Sequence, residues 1–162
     1  MDGTGGLLLS PAGYDDPDTQ ALVAQVQEEY VLLYGEPDDS PLADGGFDPP
    51  RGAFFVGRAD GAPVAMGGWR RRPDVKALGR TETAELKRMY VVPTAHRRGF
   101  ARVMLTHLEE TARAAGADLM VLETGTMQPE GIALYEAAGY ELIELFGHYS
   151  WSPLARCYGK RL

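Results

Sequence analysis

A strand that runs into a basic, glycine-containing turn and out into an amphipathic helix constrains this chain more than any other stretch. Leu86, Met89, Tyr90, Val91 and Val92 supply the β-branched, aromatic and apolar residues of a strand. After the turn Val92-Pro93-Thr94-Ala95-His96-Arg97-Arg98-Gly99-Phe100-Ala101-Arg102, the residues Ala101, Met104, Leu105, Leu108, Ala112 and Ala115 recur at three- and four-residue steps, and Gly116 stops the pattern. The spacing predicts a helix beginning near Gly99. The first turn of a helix leaves about four backbone N–H groups without partners and carries the positive end of the aligned peptide dipoles. An anion fits that end. Gly99 has no Cβ to hold a phosphate off the backbone, Ala101 has almost none, and Arg97 and Arg98 bring charged donors to the rim. Taken alone, the turn reads equally well as the solvated basic cap of a surface helix.

The remaining elements arrange themselves around this unit. Leu7-Leu8-Leu9 reads as a first strand. Asp16-Pro17-Asp18-Thr19 is a helix start, with Leu22, Val26, Tyr30 and Leu33 on one face as far as Gly35. From Glu36 to Arg51, four prolines and four aspartates describe a loop, and its acidity reads as solvation more readily than as an ammonium site. Residues 53–58 and 63–70 form two strands joined through Asp60-Gly61, a hairpin signal, with Gly67 and Gly68 marking a bulge or a close backbone approach. A second loop fills 71–83. The strand at 84–92 then leads through the helix to Leu119-Met120-Val121-Leu122, an apolar run suited to a buried parallel strand. Pro129 and Gly139 frame a short helix over 130–138, and residues 140–146 and 154–160 give two closing strands paired with each other.

Two motifs connect this order of elements to a known family. His96-Arg97-Arg98-Gly99-Phe100-Ala101 resembles the acyl-CoA-binding motif Gln/Arg-x-x-Gly-x-Gly/Ala of the GNAT superfamily of N-acetyltransferases, with His96 where the family has Gln or Arg. The run from Glu123 to Tyr140 is similar to the family's closing motif, Asn-x-x-Ala-x-x-Leu-Tyr-Glu-x-x-Gly-Phe/Tyr. There Leu134, Tyr135, Glu136, Gly139 and Tyr140 match, while Gln128 replaces Asn and Gly131 replaces Ala. The resemblance covers residues 53 to 146. It implies an α/β fold in a single domain over 1–162, with a mixed, largely antiparallel sheet of about six or seven strands flanked by about four helices. It also implies acetyl-CoA as co-substrate and direct acetyl transfer to an amine of a small molecule or peptide.

Composition bounds the alternatives. A chain of 162 residues with 44% hydrophobic and 24% charged residues can bury a substantial core, and it holds no apolar run near the roughly 18 residues of a spanning helix. Met1-Asp2-Gly3-Thr4 lacks the basic start of a secretory leader, so the expectation is a cytoplasmic protein with no membrane partner. A net charge of −7 argues against nucleic acid and favours a cationic acceptor. Three scattered histidines give no metal site, and the lone Cys157 excludes an intrachain disulfide. A homodimer stays open.

Acyl transfer to an amine needs a neutral nucleophile, a polarised carbonyl and a protonated leaving thiolate. The resemblance places Tyr135 as the acid for the thiolate, and a phenol with an ordinary pKa of about 10 suits that donor. Glu123 and Glu85 are both candidates for the base, each on a strand leading toward the crevice. The backbone of Met89, Tyr90 and Val91 is expected to polarise the carbonyl and to pair with the pantetheine arm. Arg97, Arg98, Gly99, Phe100, Ala101, Arg102 and Gln128 are expected to hold the rest of acetyl-CoA. Cys157 as an acyl-carrying nucleophile has no histidine near it in sequence, and the family transfers directly. The departures at His96, Gln128 and Gly131 motivate one rival, a non-catalytic acyl-CoA-binding or sensing module of the same fold.

Overall fold

In the computed structural model, which describes residues 6–162, seven strands form one sheet. The reading of Met1-Asp2-Gly3-Thr4 lies outside the described residues. The strands are β1 (Leu8–Pro11), β2 (Gly52–Ala59), β3 (Ala62–Arg71), β4 (Thr83–Val91), β5 (Leu119–Gly125), β6 (Glu141–Ile143) and β7 (Ala155–Arg161). The helices are α1 (Pro17–Tyr34), α2 (Phe100–Ala114) and α3 (Pro129–Ala137), with one 3₁₀ turn at Pro93–Ala95. Among the described residues three α-helices stand where about four were expected. The loop of residues 36–51, which could have carried one more, closes instead through turns.

Sheet order is β1-β2-β3-β4-β5-β7-β6, antiparallel throughout except for β4 beside β5. The hairpin between β2 and β3 turns through Asp60 at φ 51° and Gly61 at φ 80°, the pair of left-handed residues that matches the twist of the flanking strands. The closing strands pair with each other as expected, but β7 also lies against β5, and β6 shortens to Glu141–Ile143 at the sheet's edge. Among the described residues no helix is long and apolar enough to cross a membrane.

Helices cover both faces. Phe55 stands edge-on to His107 of α2 at 4.4 Å, and Trp69 Nε1 donates to Thr111 Oγ1 of the same helix at 3.0 Å. The alternate residues of these strands face α1 and its flanking loops, where the rings of Tyr14, Phe47 and Phe54 meet tilted or edge-on. A Cβ on Gly67 would stand 3.0 Å from Leu108, and one on Gly68 would stand 2.5 Å from the Phe54 ring. These two glycines therefore let α2 and the Phe54 cluster approach β3 from opposite sides. Leu22, Met66, Met104, Leu105, Leu108, Met120 and Leu122 are all buried at the centre, each contributing about 2 kcal/mol by removal from water.

Candidate active site

The bulge suggested by the glycines of β3 sits on its partner. Met66 pairs with Tyr90 and Gly68 with Lys87, so two steps on β3 match three on β4. The extra residue is Arg88, at φ 57°. A regular strand would send Lys87 and Arg88 to opposite faces. Here both reach the face of α1: Lys87 Nζ donates to Ser40 Oγ at 2.9 Å, and the Arg88 guanidinium pairs with Asp38 and donates to Tyr14 Oη at 3.3 Å.

The same irregularity separates β4 from its parallel neighbour. Their ladder holds only at Thr83–Leu119, Ala84–Met120 and Glu85–Val121, while β4 stays on β3 through Val91. Beyond Glu85 the edge of β4 that faced β5 has no ladder partner as far as Val91, whose carbonyl oxygen is met by His96 Nε2. An extended amide-bearing arm can take that place as a strand would.

At the far end of this edge lies the turn. His96, Arg97, Arg98 and Gly99 are exposed, with Arg97 at φ 63° and Gly99 at φ 78°. A Cβ at Gly99 would meet nothing within 4 Å, so the space before α2 is open. Phe100 buries its ring under the Arg98 guanidinium, 4.5 Å from the ring centroid, and can offer a ligand only its N–H. Ala101 is half-buried, and Arg102 is exposed on the first turn. His96 turns inward, its Nε2 2.8 Å from the Val91 carbonyl oxygen. It ties the turn back to β4 rather than facing the open space.

Where β4 and β5 have parted, a cavity of about 330 Å³ lies between α1, the loop after it, β5 and the β6–β7 loop, walled by Tyr34, Asp38, Lys87, Glu123, Gln128 and Tyr149. Glu123 is half-buried; its carboxylate accepts the Tyr149 backbone N–H at 3.2 Å and rests on Gly147, where any Cβ would overlap it. Burial pushes the Glu123 carboxyl above the ordinary carboxylate range. Gln128, at the cap of α3, accepts from Tyr34 Oη at 3.0 Å, and Tyr34 sits so close over Gly125 that only glycine fits there.

Tyr135 lies behind this wall, on the α2 face. It is 8% exposed, its ring 5.8 Å from that of Tyr140. Burial, reinforced by the neighbouring Tyr30 phenol, holds its own phenol protonated far above neutrality. Tyr30 is pushed up to about 12, by burial first and by Asp38 second. Glu85 is placed differently: 2% exposed, it accepts from Arg70 Nε at 2.9 Å and Arg72 Nη1 at 2.7 Å and does not line the cavity. Cys157 pairs across from Glu123 on β7 and is wholly buried, which pushes its thiol up and away from the thiolate.

The structure thus brings Glu123 and Gln128 to the cavity; Met89, Tyr90, Val91, the α2 turn and the buried Tyr135 are not among the residues that wall it. Lys87, Tyr149, Tyr30 and Tyr34 were not singled out by sequence as site residues. Asp38 corrects the reading of the acidic loop as solvated. Its side chain is 14% exposed, paired with Arg88, and accepts from Tyr149 Oη at 2.9 Å, while Asp44 and Asp48 remain exposed. Burial alone would raise its carboxyl, but Lys87 and Arg88 outweigh that and hold it well below the usual range. Among the described residues no group of three or more His, Cys, Asp or Glu side chains could hold a metal ion.

Comparison with known proteins bears on the family and the fold. The sequence profile of the acetyltransferase (GNAT) family matches residues 19–140. The N-acetyltransferase YjgM of Escherichia coli, itself uncharacterised, is 30% identical over 139 residues, 80% of this chain and 78% of that protein. An IAA acetyltransferase of Azospirillum brasilense is 44% identical over 71 residues, 44% of this chain, and the match spans only 46% of that enzyme's length. Among solved structures, a Klebsiella pneumoniae protein described as an acyl-CoA N-acyltransferase superposes with a TM-score of 0.80 at 25% identity, over 98% of this chain and 99% of that one.

Proposed function

The chain belongs to the acetyltransferase (GNAT) family, and from that premise we propose that it is an acetyl-CoA-dependent N-acetyltransferase that moves the acetyl group directly to a primary amine of a small molecule or peptide. The observation that carries this reading is the parting of β4 from β5 with Glu123 at its wall. Acetyl-CoA supplies the thioester, and its fit rests on two features, the open space at Gly99 and the unladdered edge of β4.

The N–H groups that open α2, with Arg97 and Arg98 and the exposed Arg102 beside them, hold the diphosphate. Met89, Tyr90 and Val91 pair with the pantetheine amides, and their N–H groups polarise the thioester carbonyl as negative charge grows on its oxygen. Gln128 closes the far wall through Tyr34. Glu123, its carboxyl raised by burial, takes the proton from the attacking amine. Glu85 is assigned a structural part, because two guanidiniums hold its Oε1 and it does not line the cavity. Tyr135 gives its phenolic proton to the departing thiolate; no hydrogen bond bears on its acidity among the described residues.

Incubating the protein with acetyl-CoA and a panel of amines while following thiol release tests this. Release with at least one amine is expected. Tight acetyl-CoA binding with no release for any amine would favour the binding-module alternative.

A further inference from the structure

Extending the β4–β5 ladder two residues past Glu85–Val121 would set Lys87 opposite Glu123 on the same face of the sheet. Neighbouring strands lie about 4.8 Å apart, a spacing at which an ammonium and a carboxylate pair. The divergence of the strands prevents it, and among the described residues neither side chain forms an ion pair with any other. Lys87 spends one N–H on Ser40 and keeps two; Glu123 accepts only the N–H of Tyr149. Both are half-buried and wall the same cavity.

The other charges nearby are accounted for. Asp38 is held by Arg88, Glu85 by Arg70 and Arg72, and Glu36 is exposed. Two opposite charges, partly removed from water and neither in an ion-pair contact, face one space. A ligand that carries a carboxylate and an ammonium side by side pairs with both at once; a plain ammonium leaves Lys87 without an ion-pair partner. Burial pulls the Lys87 ammonium down, a cost that a bound carboxylate offsets.

Building on the transferase reading above, we propose that the acceptor is a free α-amino acid, its carboxylate on Lys87 and its amine toward Glu123. Its side chain meets the aromatic rim of Tyr34, Tyr149 and Trp151. In the transfer the bound ammonium gives one proton to Glu123, the neutral nitrogen bonds to the acetyl carbon, and the second proton it sheds as the amide forms goes to solvent. The carbon–sulfur bond breaks with its electron pair on sulfur, which takes the proton of Tyr135. Lys87 is a specificity residue that takes no part in bond making.

The test compares the L-amino acids with their carboxamides as acceptors, in wild type, Lys87→Met and Lys87→Arg. It follows thiol release and, separately, saturation-transfer NMR of each amino acid on the coenzyme A-loaded protein. For the best acceptor, kcat/KM of the acid is expected to exceed that of its amide by about tenfold or more. Lys87→Met should bring that ratio to near one, mainly through KM, and Lys87→Arg should restore it. Equal rates for acid and amide in wild type, or a ratio that Lys87→Met leaves intact, overturn the proposal while N-acetyl transfer stands. Amino acids that saturate the wild type but not Lys87→Met, with no thiol released, would keep this binding assignment and sink the transferase reading. Saturation of neither protein, with no release, sinks both.

Discussion

In the proposed transfer, single side chains move the protons. Glu123 and Tyr135, twelve positions apart, are the base and the acid of the proposed transfer; the first walls the cavity and the second is buried in the core. Tyr135→Phe is expected to lower kcat by about a hundredfold with little change in acetyl-CoA affinity, as stopped-flow thiol release and calorimetry would read together. An unchanged kcat would remove it as the acid. For Glu123 the sign comes from its raised carboxyl. The base works only once deprotonated, so kcat/KM should rise with pH through a value above the ordinary carboxylate range. Glu123→Gln should lose that limb, keep the limb set by the acceptor's own amine, and fall by about a hundredfold in rate. A pH–rate profile of the two proteins decides it.

At the scale of elements, one inserted residue in β4 shapes the site. Arg88 at φ 57° turns two consecutive basic side chains to the same face, and β4 leaves β5 two residues earlier, after Glu85. The parting leaves an open strand edge running toward the first turn of α2. The motif was legible because Gly99 and the three-and-four spacing after it are local. The part played by His96 was not, since its 2.8 Å contact with Val91 depends on the path of the turn. The arginines there are exposed, so their contribution to coenzyme binding should be screened by salt. Replacing Arg97 and Arg98 together by Ala is expected to weaken acetyl-CoA binding about tenfold at low ionic strength and less at about 1 M salt, with kcat at saturation nearly unchanged. Isothermal titration at two salt concentrations would check it.

Over the whole molecule, the cavity exists because four distant segments meet: the loop after α1, the β4 bulge, the end of β5 and the β6–β7 loop. Asp38 joins three of them, pairing with Arg88 and accepting from Tyr149, 111 residues away. Arg88 is 4% exposed at its side chain, so Asp38→Asn would leave a buried cation without a counter-charge. The expected loss is about 3 kcal/mol at pH 7, read from urea unfolding. Because the native Asp38 carboxyl lies below its unfolded value of about 3.9, the unfolded chain takes up the proton first. Its contribution is therefore complete above that pH and is lost as pH falls from there through the native value. The gap between wild type and Asp38→Asn should narrow below about pH 4. A gap independent of pH would mean that Asp38 stabilises by packing alone.

Sequence by itself determined what is local. The Asp60-Gly61 hairpin, the α1 start at Pro17, α2 with its glycine turn and the Tyr135 motif all arise from residues within a few positions of one another, where backbone geometry and hydrophobic period act. Tertiary structure decided everything that depends on which strand lies beside which. β7 enters between β5 and β6, which seats Cys157 behind Glu123 and folds Gly147 onto its carboxylate. Glu85 and Glu123 look alike as strand glutamates, yet one meets two guanidiniums and the other a cavity. The physical reason is that a carboxylate's role is set by the charges and water around it, and those come from segments that the chain brings together only on folding.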